Sequence, residues 1–383
     1  MSTKPRATLG QSLAVQTQMH LPGTVGRLLK QVRDVEEAGK QFQQAGLVRP
    51  IDRPQPLDLK VAGIACKSQV CKILGGFIYV AGAARCDLQV EKNALQTIGQ
   101  DSVCSIDDID FEHQTKRMKF NGVRQAYELL ERLLTSEFQA ELILLDTPLL
   151  LDLSYRPHDS TPKESGYRKD YDRTIETITQ FWNTYRERLY PWNKQGPMVA
   201  AIQPNFSGLV KFSFRTGMSQ KDRQEIFLAC EGIKAELFST LPEMGNKLEI
   251  IGEKRFLWGA LPQFSRTCTM NLAILTERKD PEEVMKLGLI GYHYRAGTGT
   301  DPSFLQFMGR EEWDVTALDK VAACVMALTA HGGGDGWPIP NFLAQRELQA
   351  LEPFLKNFST QIRKEISDQK IENIWLSDLS ENI

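Results

Sequence analysis

The chain predicts an α/β fold, a mixed sheet covered by helices, on three observations. Short runs of β-branched and small apolar residues open it, helix-like and strand-like segments alternate through the remainder, and residues 142–145 form a continuous apolar run that ends just before a Thr-Pro break. A run of that length bounded by Pro reads as a buried strand, and strands alternating with amphipathic helices imply a sheet flanked by helices.

Each element follows from local pattern. The first twenty residues are polar and are expected to be disordered. Val25, Leu28, Leu29, Val32, Val35 and Phe42 then recur at helical spacing, until the Pro-rich stretch from Arg49 to Pro56 ends the helix. Residues 57–66, 70–74 and 77–84 read as strands joined by tight turns, with Gly75-Gly76 as one of the breaks. Val123, Tyr127, Leu130 and Leu134 mark a helix leading into the 142–145 strand, and a breaker-rich surface loop follows over 156–166. A second long helix carries Tyr171, Ile175, Ile178, Trp182, Tyr185 and Leu189 on one stripe and stops at Pro191. Strands are expected at 198–202 and 209–214, a helix through Ile226, Ile233, Leu237 and Leu241, and strands again at 270–275, 287–294 and 303–308. A helix over 316–329, a glycine-rich loop from His331 to Asp335 and a last helix from about Asn341 complete the chain. One domain is expected over 21–366, with an acidic-leaning tail over 367–383.

Composition excludes several classes. With 383 residues, 42% apolar and 25% charged, the chain can bury a large core. No segment reaches the roughly 20 apolar residues that span a bilayer, and the N-terminus lacks a signal-type apolar run, so the expectation is a cytoplasmic protein without a membrane association. Seven cysteines, scattered and odd in number, argue for reduced thiols. A formal charge of −2 gives no global drive toward nucleic acid, so any such contact rests on a local basic surface.

Asp146 is the first site candidate. It sits where the apolar strand meets solvent, and a carboxylate there needs a cation, a metal ion or amide donors. A strand-end Asp that caps the following turn is the competing reading. Cys66 and Cys71 have a spacing near that of a zinc half-site but no Cys/His pair follows at close range, which favours structural thiols. Lys67, Lys72 and Arg85 either line a DNA channel or decorate a solvated hairpin. His331-Gly-Gly-Gly-Asp335 lacks the Gly-Lys-Ser/Thr continuation of a phosphate loop and reads as a surface loop.

The order of these elements, with "ELILLD", "GLVKFSFR", "YHYRAG…FLQFMGREEW" and "GWPIPNFLAQRE", resembles the NurA nuclease family over residues 21–354. The resemblance implies a ribonuclease H-like core, a homodimer acting on DNA ends, manganese or magnesium as cofactor, and partnership with a hexameric HerA-type ATPase. It also implies four ligand positions, and three of them depart from the family here. Ala65 or Cys66 stands at the first Asp, Gly122 at the Glu with Glu128 as a displaced substitute, and Gln345 at the His; Asp146 alone matches. One carboxylate is a poor site for two hard cations. The expectation is therefore a NurA-like fold with a decayed metal centre, serving as a non-catalytic partner of a HerA/FtsK-type ring ATPase. An active nuclease with rearranged ligands drawn from Glu128, Asp152, Glu312 or Asp335, with His331, is the first alternative. A structural α/β protein unrelated to DNA is the second.

Overall fold

The computed structural model describes residues 8–52, 57–73, 76–92, 94–109, 113–151, 153–203, 209–215, 217–227, 241, 244–272, 283–297, 300–330 and 336–368. Its strands are β1 (Val48–Pro50), β2 (Asp58–Ile73), β3 (Gly76–Glu91), β4 (Ala94–Ile109), β5 (Leu142–Leu145), β6 (Met198–Gln203), β7 (Ser265–Thr267), β8 (Met270–Asn271), β9 (Leu289–Arg295) and β10 (Ser303–Met308). They form one sheet in the order β1-β7-β9-β10-β6-β5-β2-β3-β4, with β8 on β9. β2, β5 and β6 are parallel, Val61 opposite Leu142 and Leu142 opposite Met198, while β3, β4 and β10 run antiparallel to their neighbours. This is the mixed sheet flanked by helices that the sequence predicts, with the 142–145 run at its centre and buried on both faces.

The helices are α1 (Leu9–Gln44), α2 (Gln114–Thr135), α3 (Gly166–Tyr185), α4 (Leu209–Ser213), α5 (Gln220–Ile226), α6 (Met244–Ile251), α7 (Glu253–Ala260), α8 (Val315–Ala330), α9 (Ile339–Glu347) and α10 (Leu351–Asp368). One face of the sheet packs against α2 and α3 through Phe120, Val123, Tyr127, Leu130, Ile178 and Trp182; the other is covered by α8 and α9 through Leu318, Val325 and Ala344, with Leu348 in the turn just past α9. Inside the first core the Tyr127 hydroxyl donates to the Leu149 carbonyl at 2.7 Å and accepts from Trp182 Nε1 at 3.0 Å. Tyr127→Phe strands both partners in a dry interior, and urea titration is expected to show a loss of about 2 kcal/mol.

Four expectations need correction. The N-terminal segment expected to be disordered is helical from Leu9, because Thr8 and Gln11 form a reciprocal capping box; residues 1–7 lie outside the described residues. The break expected between Cys66 and Val70 is absent, since β2 runs unbroken over 16 residues, whereas the break expected at Gly75-Gly76 falls between the end of β2 at Ile73 and the start of β3 at Gly76. β4, which no local signal announced, adds a third strand of 16 residues. Residues 209–214, expected as a strand, form α4 instead. Val210, Ser213 and Phe214 are buried there at steps of three and one, a helical face rather than an alternating one. Of the helix expected through Ile226 and Leu241, α5 ends at Ile226 and residues 228–240 lie outside the described residues, as do 273–282 beyond β8 and the tail from 369.

Two features place the site. β2 outruns its parallel neighbour, continuing to Ile73 while β5 stops opposite Ile64 at Leu145. α9 lies almost against the β2 backbone at Gly63, where a Cβ would fall 2.4 Å from the Pro340 carbonyl carbon and 2.5 Å from Asn341 N. Only glycine permits that approach.

Candidate functional site

The site forms where the parallel ladder runs out. Asp146 N donates to the Ile64 carbonyl at 3.0 Å, the last backbone rung between β5 and β2. The next β2 amide, on Cys66, has no β5 carbonyl opposite it and donates to Asp146 Oδ1 at 2.9 Å. The side chain thus continues the ladder one step beyond the strand. From α9, Gln345 Nε2 donates to Asp146 Oδ2 at 3.4 Å. Deeper in the same helix, the fully buried Asn341 donates to the Ile64 and Leu144 carbonyls at 3.2 and 2.9 Å, tying α9 across β2 and β5.

On the other face α2 closes the site. A Cβ on Gly122 would lie 3.2 Å from Cys66 Sγ, so the thiol fills the space that a larger residue at 122 would need. Burial, and then the neighbouring Asp146 carboxyl, push the Cys66 thiol well above its ordinary range, while a hydrogen bond with Thr147 and the Lys119 ammonium pull weakly the other way. Burial raises the Asp146 carboxyl to about 7 against the amide hydrogen bonds that favour its ionised form.

The structure therefore brings Cys66, Gly122, Asp146 and Gln345 together. Ala65 points to the opposite side of β2, into the core under α8 and α9, so Cys66 is the residue that faces Asp146. Glu128 is turned away. It pairs with Arg132 at 2.6 Å on the exposed flank of α2, lining a groove of about 680 Å³ with Ser102 and Tyr185. Glu312 is at the other end of the sheet, because β10 runs antiparallel to β6 and carries the chain away from Asp146; it accepts from Arg310 N at 3.1 Å. Asp152, His331 and Asp335 lie outside the described residues.

The proposed basic surface does not form. Lys67 and Lys72 stand five positions apart and so occupy opposite faces of β2. Arg85 is buried and ion-paired with Asp87 at 3.1 Å and with Asp101 at 3.8 Å, which removes it from any phosphate contact. Cys66 and Cys71 likewise face opposite sides, Cys71 packing on Val80 and Leu355, so they form no zinc half-site. The six described cysteines are free thiols.

Two divalent cations need several oxygen or nitrogen ligands converging within about 2–2.6 Å of each ion. Among the described residues no three His, Cys, Asp or Glu side chains converge to hold a metal ion. Asp146 already accepts from two amide donors, and Cys66, Gly122 and Gln345 bring it no second negative charge. The described residues do not fit such a centre.

Sequence reasoning missed Asn341, Gly63, Thr147 and Lys119. Only the Pro-Ile-Pro-Asn entry to α9 hinted at the first, since a helix start with an Asn just inside it offers a side-chain amide near backbone carbonyls. Among the described residues no helix is long and apolar enough to cross a membrane.

No family model matches the chain, and no curated protein matches it. Among solved structures, the NurA nuclease from Sulfolobus solfataricus superposes with a TM-score of 0.53 at 14% identity, covering 92% of this chain and 97% of that one. A NurA structure bound to dAMP and manganese gives a TM-score of 0.40 at 14% identity over 86% of this chain and 93% of that one. Endonuclease V from Bacillus subtilis gives 0.33 at 12% identity over 83% and 91%. The last two scores are too low to carry an argument, whereas the first establishes a shared fold: over most of its length the chain is folded like the Sulfolobus nuclease.

Proposed function

We propose that the chain is a NurA-like DNA-processing component that has lost metal-dependent cleavage and acts beside a ring ATPase of the HerA or FtsK type, in DNA repair or defence. One observation carries this reading. At the place where the fold delivers Asp146, its carboxyl oxygens are engaged by the Cys66 amide and the Gln345 side chain, and the flanking positions are a thiol, a glycine and an uncharged amide. A hard cation gains too little from one carboxyl to displace its water. Neither Cys66, held protonated by its surroundings, nor Gln345 can take a proton from an attacking water near neutral pH. The likeness of fold and the resemblance of motifs support the DNA-processing class; the ATPase partnership rests on the resemblance alone.

The test is a cleavage assay on linear duplex and single-stranded DNA with manganese or magnesium, with and without a candidate ring ATPase. The chain alone is expected to leave the DNA intact, at the level of an Asp146→Ala control. Manganese-dependent digestion that Asp146→Ala abolishes would overturn the reading and establish an active nuclease with ligands drawn from elsewhere.

A further inference from the structure

The groove of about 680 Å³ between β4, α2 and α3 shares no lining residue with the Asp146 site, and its polar groups divide into those already engaged and those left over. Toward the C-terminal end of α2 the charges are matched. Glu128 pairs with Arg132 at 2.6 Å, and Glu131 accepts from the Tyr185 hydroxyl at 2.7 Å. Earlier on α2, Asn121, Arg124 and Gln125 share one helix face, and Arg173 of α3 lines the same groove. Arg124 Nη1 donates to the Asp170 carbonyl at 3.2 Å and to Thr174 Oγ1 at 2.9 Å, while Nη2 stands 3.9 Å from the Asp170 carboxylate, too far to donate to it. Arg117 already holds that carboxylate at 2.7 Å. Among the described residues the Nε and Nη2 hydrogens of Arg124 find no acceptor, and the Arg173 guanidinium has neither an ion pair nor a hydrogen bond. The Ser105 hydroxyl on β4 accepts from Asn121 Nδ2 at 3.1 Å and from Gln125 Nε2 at 2.8 Å, so both its lone pairs are taken and its own proton is left to donate. Burial holds the Arg124 guanidinium below its ordinary range; Asp170 opposes this shift, and the nearby charge of Arg173 adds to it.

We propose that this part of the groove binds a small phosphate monoester, its phosphate oxygens taken by Arg124, Arg173 and the Ser105 hydroxyl and its remaining part lying along the groove toward Phe181 and Tyr185. The groups left over are all donors, and two of them are cations that stay charged at any ordinary pH. A carboxylate has two oxygens and one charge, which a single guanidinium fork satisfies. A phosphate monoester brings three oxygens and close to two negative charges, enough for both guanidiniums and a hydroxyl. A diester phosphate within a nucleic-acid backbone carries one charge and matches the pair less well. The groove also has the capacity that small-molecule sites have, roughly 300–1,000 Å³. Neither the ligand nor the groove involves Asp146 or the cleavage of DNA.

Calorimetric titration of the full chain tests this, with inorganic phosphate, ribose 5-phosphate and adenosine 5′-monophosphate as probes and ribose and adenosine as their uncharged controls. Inorganic phosphate and at least one of the esters are expected to bind, and the tighter of the two esters tells whether a sugar or a nucleoside fills the rest of the groove. Ribose and adenosine are expected to bind weaker than their phosphates by about tenfold or more, the effect of losing charge-assisted hydrogen bonds. Arg173 is exposed, so Arg173→Ala leaves the fold in place and is expected to weaken the bound ester by about tenfold, with Arg173→Lys recovering part of the loss. Amide exchange on the wild type places the ligand: residues 102–105 and 173–180 are expected to slow when the ester is present, and residues 141–147 to stay unchanged. Binding of nothing, of inorganic phosphate alone, or of a 5′-phosphorylated oligonucleotide alone overturns the proposal. So does an Arg173→Ala chain that binds as tightly as the wild type, or slowing confined to the Asp146 cleft.

Discussion

Gly63→Ala is expected to cost about 3 kcal/mol in folding free energy, at the upper end of what a single added methyl does in a packed interior. The reason is the identity of the obstacles. The new Cβ meets the Pro340 carbonyl carbon at 2.4 Å and Asn341 N at 2.5 Å, both backbone atoms at the start of α9, and no side-chain rotation relieves either contact. The helix has to move off the sheet. Asn341 then loses its reach to the Ile64 and Leu144 carbonyls, and Gln345 moves away from Asp146. Gly82→Ala is the control, because its Cβ would meet only the Leu348 and Leu351 methyl groups at 3.3 Å. Guanidinium titration of the two variants should separate them by a clear shift in midpoint; equal midpoints would mean that α9 is not seated on β2 as described.

Stability should fall with rising pH because of one partly buried carboxyl. Asp146 is raised from 3.8 in its ordinary state to about 7 in the folded chain. Between those values the folded state holds a proton that the unfolded state has released. The stabilisation is therefore complete below pH 3.8, declines as pH rises and is exhausted above 7. From pH 5 to pH 8 the two pH units below 7 amount to about 3 kcal/mol at 1.36 kcal/mol per unit. Asp146→Asn keeps an acceptor for the Cys66 amide and cannot ionise, so its stability should change less over that range and exceed the wild type at pH 8. Urea titrations of both proteins at pH 5 and pH 8 give the comparison as a difference of differences, which cancels the contributions of Asp87 and other shared groups. Parallel pH dependences would show that Asp146 ionises freely.

The centre of the fold was legible and its margins were not. The 142–145 run could be placed because it is buried on both sides and stopped by Pro, leaving little choice but a central strand ending at Asp146. β4 escaped notice because it lies at the edge of the sheet, where Leu95, Ile98 and Ile106 stay exposed and the alternation blurs. β2 looked broken at Cys66-Lys-Ser-Gln because polar residues there resemble a turn, yet the strand continues, supported by β3 along its whole length. The convergence of Cys66, Gly122 and Gln345 on Asp146 was reached through motif order, not through local physics. No property of Gln345 itself announces a partner 199 residues away. The basic cluster failed for a simpler reason: residue type suggested a surface, whereas strand parity and the acidic neighbours of Arg85 decide where those charges go.

The place of β2 between β3 and β5 also bears on the order in which the molecule is expected to assemble. β2, β3 and β4 are consecutive antiparallel neighbours, so their rungs close over short stretches of chain. The first contact between β2 and the β5 region, Lys60 with Glu141, spans 81 residues, and the Asp146–Gln345 bond spans 199. Loop-closure entropy is larger for the longer separations, so the short closures are expected first. The meander is then expected to be the early part of the fold and the Asp146 cleft the late one, completed when α9 docks. A chain emerging in order from its N-terminus carries Cys66, Gly122 and Asp146 long before Gln345, so the cleft is expected to close only once α9 has been made.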